Sequence, residues 1–358
     1  MLPGKDIAAT FNLMKVAKLY SFNDIRIEDI PIPEIGQGDA LIKTHACGIC
    51  SGDVMPWYIE KKAPVVIGHE PTGEIVELGS SLVTRHSSLS VGDRVFTHHH
   101  APCFTCRLCR RGDYVQCETW KNTKIIPGGI SEYILIPKIN LENDTLSLPD
   151  TLSYEDGTLI EPTACVVKAL KRVGVRKGDT ILVIGLGVMG QLNVLLAKKY
   201  GAGRVLGADM VQFRLNKAKE LGADGVIDVS KDKLIDALKN LTDGIMADVV
   251  VVGPNSAEAM KQGIECAGAG GKVLFFTPAR PDEKLTIYPN ELYFKDIDII
   301  TSYSCGPSDT ADALEIIESG IISAERLVTH RFPIEKTAEA FRLTAEAKDS
   351  LKSVIMFE

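Results

Sequence analysis

No apolar run in this chain approaches the roughly 20 residues that a membrane helix needs, so no membrane partner is expected. An excess of positive charge is also lacking. The formal net charge is −7, which gives no general electrostatic reason to bind nucleic acid or an anionic membrane. The N-terminus, MLPGKDIAATFNL, has neither a basic start nor an apolar h-region and does not read as a secretion signal. There are no internal repeats and no low-complexity segments, which excludes solenoids and disordered linkers. These absences point to a cytoplasmic, globular protein.

What is present fits that class. The 358 residues suit two domains or one large one, and 45% hydrophobic residues are ample for packed cores. Strand-like sequence begins near Met14 with MKVAKLY, so residues 1–13 read as an extension or as the product of a misassigned start. Nine cysteines are an odd number, and four of them crowd between Cys103 and Cys117. Such crowding in a large chain without a signal peptide favours metal over disulfides.

The texture changes along the chain. Up to about residue 160, short apolar runs (KVAKLY, DALIKTHA, TGEIVEL, DRVFTHH, SEYILIP) separated by Gly, Pro and polar clusters predict a β-rich unit. From about residue 178, strands such as TILVIG, RVLGAD and ADVVVVG alternate with amphipathic helices, which predicts a parallel sheet covered on both faces. After about residue 300 the pattern returns to short strands around a helix. The predicted arrangement is therefore a β-rich unit over 14–160, an inserted nucleotide-binding unit over 161–300, and a return over 301–358.

Gly185-Leu-Gly187-Val188-Met189-Gly190 follows a strand and opens a helix, the context that a dinucleotide-binding turn requires. The first glycine permits the turn, the second lets backbone N–H groups approach a pyrophosphate, and the third lets helix and strand pack closely. The helix N-terminus adds partial positive charge. Asp209 ends the next strand, where a carboxylate binds ribose hydroxyls and repels a 2′-phosphate. Arg214 is the first basic residue after it. This pattern favours NAD over NADP.

Cys103, Cys106, Cys109 and Cys117 predict four thiolates around one structural zinc with no open position. A catalytic zinc needs about three protein ligands and an exchangeable position. Three scattered segments offer them: Cys47-Gly-Ile-Cys50-Ser51-Gly52-Asp53, Gly68-His69-Glu70 and Leu159-Ile-Glu161-Pro162. No spacing rule connects these segments.

Together the motifs resemble the zinc-dependent branch of the medium-chain dehydrogenase/reductase superfamily. The specific signature is GHExxGxIVExG, seen as Gly68-His69-Glu70-Pro71-Thr72-Gly73-Glu74-Ile75-Val76-Glu77-Leu78-Gly79; the four-cysteine lobe and the GxGxxG follow in the family's order. The resemblance implies an α/β fold: a GroES-like β-rich catalytic domain with an inserted Rossmann domain of doubly wound parallel sheet. It implies two zinc ions per chain and NAD. The catalytic ion would be held by Cys50 and His69, with Glu70 and Glu161 as carboxylate ligands and Asp53 orienting His69. Glu161-Pro162 looks like the sorbitol and polyol dehydrogenase branch. The implied reaction passes a hydride between NAD and a small secondary alcohol or polyol. A threonine dehydrogenase-like oxidation of an amino alcohol, or a non-catalytic family member, is the alternative. A homodimer or homotetramer is implied by resemblance alone.

Two departures from the family pattern stand out. Gly52 occupies the position of the usual hydroxyl residue, and Met55 that of the usual relay histidine. Ser51, a water chain, or one of His98, His99 and His100 is expected to carry the proton instead. Cys47, Cys165, Cys266 and Cys305 read as buried core thiols, and Trp57 and Tyr58 as pocket or packing residues.

Overall fold

The computed structural model describes residues 12–80 and 89–358. Most of the predicted N-terminal extension, residues 1–11, lies outside the described residues. The apolar runs of the first part become strands where period-2 burial requires it. Leu13–Ser21 pairs antiparallel with Asp24–Pro31 and with the short Val65–Val66. Ala40–Gly48 and Glu70–Leu78 form the centre of a second, seven-stranded sheet. Arg94–Thr97, Tyr133–Ile136 and Thr145–Ser147 complete it from this part of the chain. Its core side chains include Ile42, Ile75, Val95 and Ile134, all fully buried.

The end of the chain returns to that sheet. Strands Val328–Pro333 and Lys352–Met356 add to its edge, with Val354 opposite Gly48. This contact closes the unit around the inserted segment.

Between them lies a six-stranded, all-parallel sheet. Its strands are Thr180–Ile184, Arg204–Asp209, Gly225–Asp228, Ala247–Val252, Ala267–Phe275 and Asp298–Thr301. Numbered along the chain, they run 3-2-1-4-5-6 across the sheet. That order reverses direction beside Thr180–Ile184, and ligands bind in the crevice beyond the strand ends at such a reversal. Helices Val188–Lys199 and Gln212–Glu220 cover one face over Ile181, Val183 and Val205. Leu234–Leu241 and Ala257–Glu265 cover the other over Leu182, Val250 and Val273. The long helix Ile160–Val173 leads from the first part into this sheet and packs on Pro307–Glu318. Its first turn carries Glu161. No described helix is long and apolar enough to cross a membrane.

Candidate active site

The register of three neighbouring strands assembles the site. Gly48, near the end of Ala40–Gly48, lies opposite Glu70, the first residue of the adjacent strand. Cys50 follows two residues later, and His69 immediately precedes Glu70. Ligand atoms of Cys50, His69 and Glu70 accordingly fall within 4.8 Å of one another. Gly52 N–H donates to Cys50 Sγ (3.3 Å), shaping the loop around the sulfur.

Asp53 is buried, and its Oδ2 lies 3.1 Å from His69 Nδ1. That contact occupies one ring nitrogen and leaves Nε2 for the other members of the trio. Burial opposes charge on His69, yet the Asp53 carboxylate first and the Cys50 sulfur next outweigh it and hold the imidazole's proton affinity well above its ordinary value. The same negative field favours a dication.

Lys352, which sequence reasoning missed, completes the arrangement. Its ammonium pairs with a Glu70 carboxylate oxygen and donates to Ile49 O (3.0 Å), with both side chains of the pair only 1% exposed. Burial works against the ammonium, but Glu70 and Cys50 hold it protonated above the ordinary lysine range. The bond crosses Gly48, where any Cβ would overlap Glu70 Oε2 and come within 2.8 Å of Lys352 Cε. The only hint in the sequence is a lysine entering the apolar run Ser353–Phe357. Glu70 Oε1 is a buried acceptor without a hydrogen-bond partner among the described residues.

Glu161 stands apart from the trio. Its carboxylate groups instead with His98 and Cys305, within 4.8 Å of both, and accepts from Cys165 Sγ at 3.3 Å. The structure therefore separates the four ligands expected around one ion into a trio and a neighbour.

The four-cysteine lobe is compact. Sγ separations are 3.9 Å for Cys103–Cys109, 3.5 Å for Cys106–Cys109 and 3.6 Å for Cys103–Cys117. Four sulfurs about 2.3 Å from one zinc would be about 3.8 Å apart, so the set fits. Backbone N–H groups of Cys106 and Cys109 point at sulfurs, and Thr105 Oγ1 donates to Cys103, lowering that thiol to about 5. The catalytic trio fits as well, offering sulfur, nitrogen and an unpartnered carboxylate oxygen.

At the nucleotide crevice, Gly185 has φ +85°, and a Cβ at Gly190 would overlap the Gly185 carbonyl oxygen. Gly187 caps helix Val188–Lys199, so the first-turn N–H groups, Val188, Met189 and Gly190 among them, face the crevice. Asp209 accepts from the N–H groups of Leu186 (2.7 Å) and Val211 (2.9 Å). The Arg214 guanidinium folds back over Gly187, with Nη1 3.8 Å from Asp209 Oδ2. Met55 reaches this crevice too: its sulfur accepts from Asn255 Nδ2 at 3.4 Å.

The relay candidates separate clearly. Ser51 is exposed. His98 is buried, with Nδ1 bonded to Asp144 at 2.6 Å. The His99 ring lies 6.4 Å from His69 and 4.5 Å from His100, and His99 Nδ1 is buried without a partner among the described residues. His100 Nδ1 donates to Thr123 O (2.5 Å) and the ring packs on Trp120. Burial depresses both rings' basicity, His99 well below the ordinary value and His100 to about 4.

Comparison with known proteins agrees with this fold. Residues 36–149 match the alcohol dehydrogenase GroES-like domain and residues 188–319 the zinc-binding dehydrogenase domain. A sorbitol dehydrogenase of Bombyx mori is 33% identical over 95% of this chain and 97% of its own length. The solved 2R,3R-butanediol dehydrogenase of Bacillus subtilis superposes with a TM-score of 0.84 at 27% identity, covering 96% of this chain and 100% of that one. A zinc-binding dehydrogenase of Sinorhizobium meliloti, bound to NADP, gives 0.85 at 27% identity, covering 97% and 100%. A β-rich unit closed around a doubly wound parallel sheet, with two zinc-ligand sets, defines a two-domain metal-dependent dehydrogenase. The chain belongs to the zinc-dependent alcohol dehydrogenase family of the medium-chain dehydrogenases, in its polyol dehydrogenase-like branch, and is an NAD-dependent alcohol/polyol oxidoreductase.

Proposed function

We propose that Cys50, His69 and Glu70 hold the catalytic zinc, with Glu161 reaching the same ion from its adjacent position. The observation that carries this is the buried, unpartnered Glu70 Oε1 beside a half-buried thiol and a carboxylate-oriented imidazole. When bound, zinc supplies Lewis acidity toward a hydroxyl oxygen, and NAD supplies the hydride acceptor. The remaining work belongs to the chain. Asp53 fixes the His69 ring, Lys352 neutralises one Glu70 oxygen, and Met55 with Asn255 links the catalytic loop to the nucleotide crevice. Holding the two reacting carbons close in the crevice removes the entropic part of the barrier.

The substrate is a small secondary alcohol or polyol. Buried polar atoms with no partner among the described residues, His99 Nδ1 and Trp57 Nε1, offer hydrogen bonds to further hydroxyls. The proton released on oxidation passes along His99, whose ring lies 6.4 Å from that of His69, and His100, 4.5 Å further on; burial lowers the basicity of both rings, so they hand the proton on rather than hold it. Asp209 favours NAD, and the Arg214 cation beside it softens the repulsion of a 2′-phosphate. Cys103, Cys106, Cys109 and Cys117 hold a structural zinc.

The units run over 14–160, 161–300 and 301–358. They assemble as a homodimer or homotetramer. Support comes from the outer edge of the parallel sheet: Asp298–Thr301 is its edge strand, and Tyr288, Tyr293, Phe294 and Tyr303, close to it in sequence, are exposed. Clustered thiols suit the reducing cytoplasm. The test is NADH formation by zinc-loaded protein with a panel of polyols and secondary alcohols, run beside L-threonine. Oxidation of threonine alone would favour the amino-alcohol reading.

A further inference from the structure

A cavity of about 550 Å³ plays no part in the function proposed above. Four segments wall it: the last loop of the four-cysteine lobe, the final turns of helix Ile160–Val173, the end of edge strand Asp298–Thr301 and the start of helix Pro307–Glu318. Its charged lining sets Arg111, Lys168, Lys171 and Arg172 against Asp113 and Asp309. That is an excess of two positive charges, in a chain whose net charge is −7. Ser308, in the first turn of helix Pro307–Glu318, brings the positive end of that helix to the wall.

Both carboxylates are already engaged, whereas two of the cations are not. Asp113 pairs with Arg111 at 3.2 Å. Asp309 accepts from Gly306 N–H at 3.0 Å and lies 3.8 Å from Lys171, which Asp312 also holds. Lys168 and Arg172 meet no carboxylate in an ion pair among the described residues. Each is held by a backbone carbonyl instead: Lys168 Nζ donates to Tyr303 O at 2.6 Å, and Arg172 Nε donates to Thr301 O at 3.0 Å. The other ammonium protons of Lys168 and the Nη groups of Arg172 have no acceptor among the described residues. Burial also lowers the basicity of the Lys168 ammonium, and an anion beside it would offset the lost hydration.

The cavity lies within a substrate's length of the catalytic centre. Lys168 stands two helical turns after Glu161, on the same face of helix Ile160–Val173. Two turns rise about 11 Å, the length scale of an extended sugar alcohol with a phosphate at one end. Tyr303 lines the cavity, and its ring lies 6.0 Å from that of Trp120, which packs on His100 at 4.2 Å. This row of rings runs on through His99 to His69. We propose that the polyol substrate carries a phosphate monoester at its far end, and that Lys168 and Arg172 bind this phosphate in the cavity while the reacting hydroxyl lies at the catalytic trio. The proposal rests on the polyol dehydrogenase reading and narrows its substrate class. A phosphate monoester carries nearly two negative charges at neutral pH, which matches the excess on the lining. Arginine and lysine give phosphate oxygens charge-assisted hydrogen bonds, which an uncharged polyol cannot use in the same way.

The test is calorimetric titration of zinc-loaded, full-length protein saturated with NADH, which fills the pyrophosphate cradle and prevents oxidation of an alcohol. Sorbitol 6-phosphate should bind at least about tenfold tighter than sorbitol, the factor that one charge-assisted hydrogen bond contributes. Lys168→Gln combined with Arg172→Gln should cut that ratio below about threefold, whereas Lys168→Arg, which keeps the charge, should retain most of it. Equal affinity of the wild type for the two ligands would overturn the proposal, whether or not any variant folds. An undiminished ratio in a folded double variant would overturn the placement equally. Binding of inorganic phosphate with no preference between the two polyols would also overturn it, by making the cavity a site for the free ion. NADH formation is read separately. If NAD-loaded protein oxidises neither polyol, the dehydrogenase reading fails and the binding ratio still decides the phosphate site.

Discussion

Removing the Lys352 ammonium should destabilise the protein far more than its position near the C-terminus suggests. Lys352→Met keeps most of the apolar stem and deletes the charge. In the zinc-free protein, in which the comparison is made, Glu70 is then left as a buried carboxylate without its counter-ion, both side chains of the pair being 1% exposed in the wild type. Breaking a buried pair from one side costs about 3–5 kcal/mol. The Ile49 carbonyl also loses its donor, which adds about 1 kcal/mol. A loss of roughly 4–6 kcal/mol is expected at neutral pH. The loss should shrink toward pH 5, because burial already raises the affinity of Glu70 for a proton and the variant can take one up. Glu70→Gln added to Lys352→Met removes the stranded charge and should recover more than half of the deficit. The assay is urea unfolding of wild type, both single variants and the double variant, analysed as a cycle. Additive changes, with a coupling under about 0.5 kcal/mol, would refute the claim that Gly48 lets these two side chains meet as a buried pair.

Other outcomes follow from the same structure. His99→Asn should lower turnover at neutral pH by about 100- to 10,000-fold while zinc and NAD binding persist; an unchanged pH–rate profile would move the proton path to water. His100 is held neutral by burial, so its contribution to stability is complete above about pH 6.5 and declines by at most about 1.4 kcal/mol per unit as pH falls toward 4. His100→Asn should flatten that acid limb in unfolding curves taken from pH 7 to 4. Gly52→Ser should fold normally with activity little changed, since a Cβ there meets only Cys50 Sγ at 3.4 Å and Met55 Cε at 3.9 Å. Gly190→Ala, by contrast, should abolish NAD binding in a titration, because the added methyl overlaps the Gly185 carbonyl.

The fold was legible because its signals are local. Apolar runs broken by Gly and Pro marked the strands of the first unit, and strand–helix alternation with Gly185, Gly187 and Gly190 marked the parallel sheet. The four-cysteine lobe was legible for the same reason, since its ligands lie within one short loop. The catalytic trio was not readable from spacing. Cys50 and His69 come from different strand ends and meet only through the register of Gly48 on Glu70, so the family signature had to supply what periodicity cannot. Lys352 was invisible, being 282 residues from its partner. The surroundings of Glu161 were not readable from spacing either. Its neighbours His98 and Cys305 are joined to it by tertiary packing of a helix on the returning segment, which no sequence pattern encodes.

The central claim is that zinc at Cys50, His69 and Glu70 enables hydride transfer from a polyol or secondary alcohol to NAD. Its most direct test is NADH production by zinc-loaded wild type and by Cys50→Ala, each checked for fold and NAD affinity, across the same substrate panel. The account predicts turnover in the wild type with at least one polyol or secondary alcohol. It predicts none in Cys50→Ala, which should retain the zinc of the four-cysteine lobe and bind NAD normally. Equal NADH production by the two proteins would contradict it.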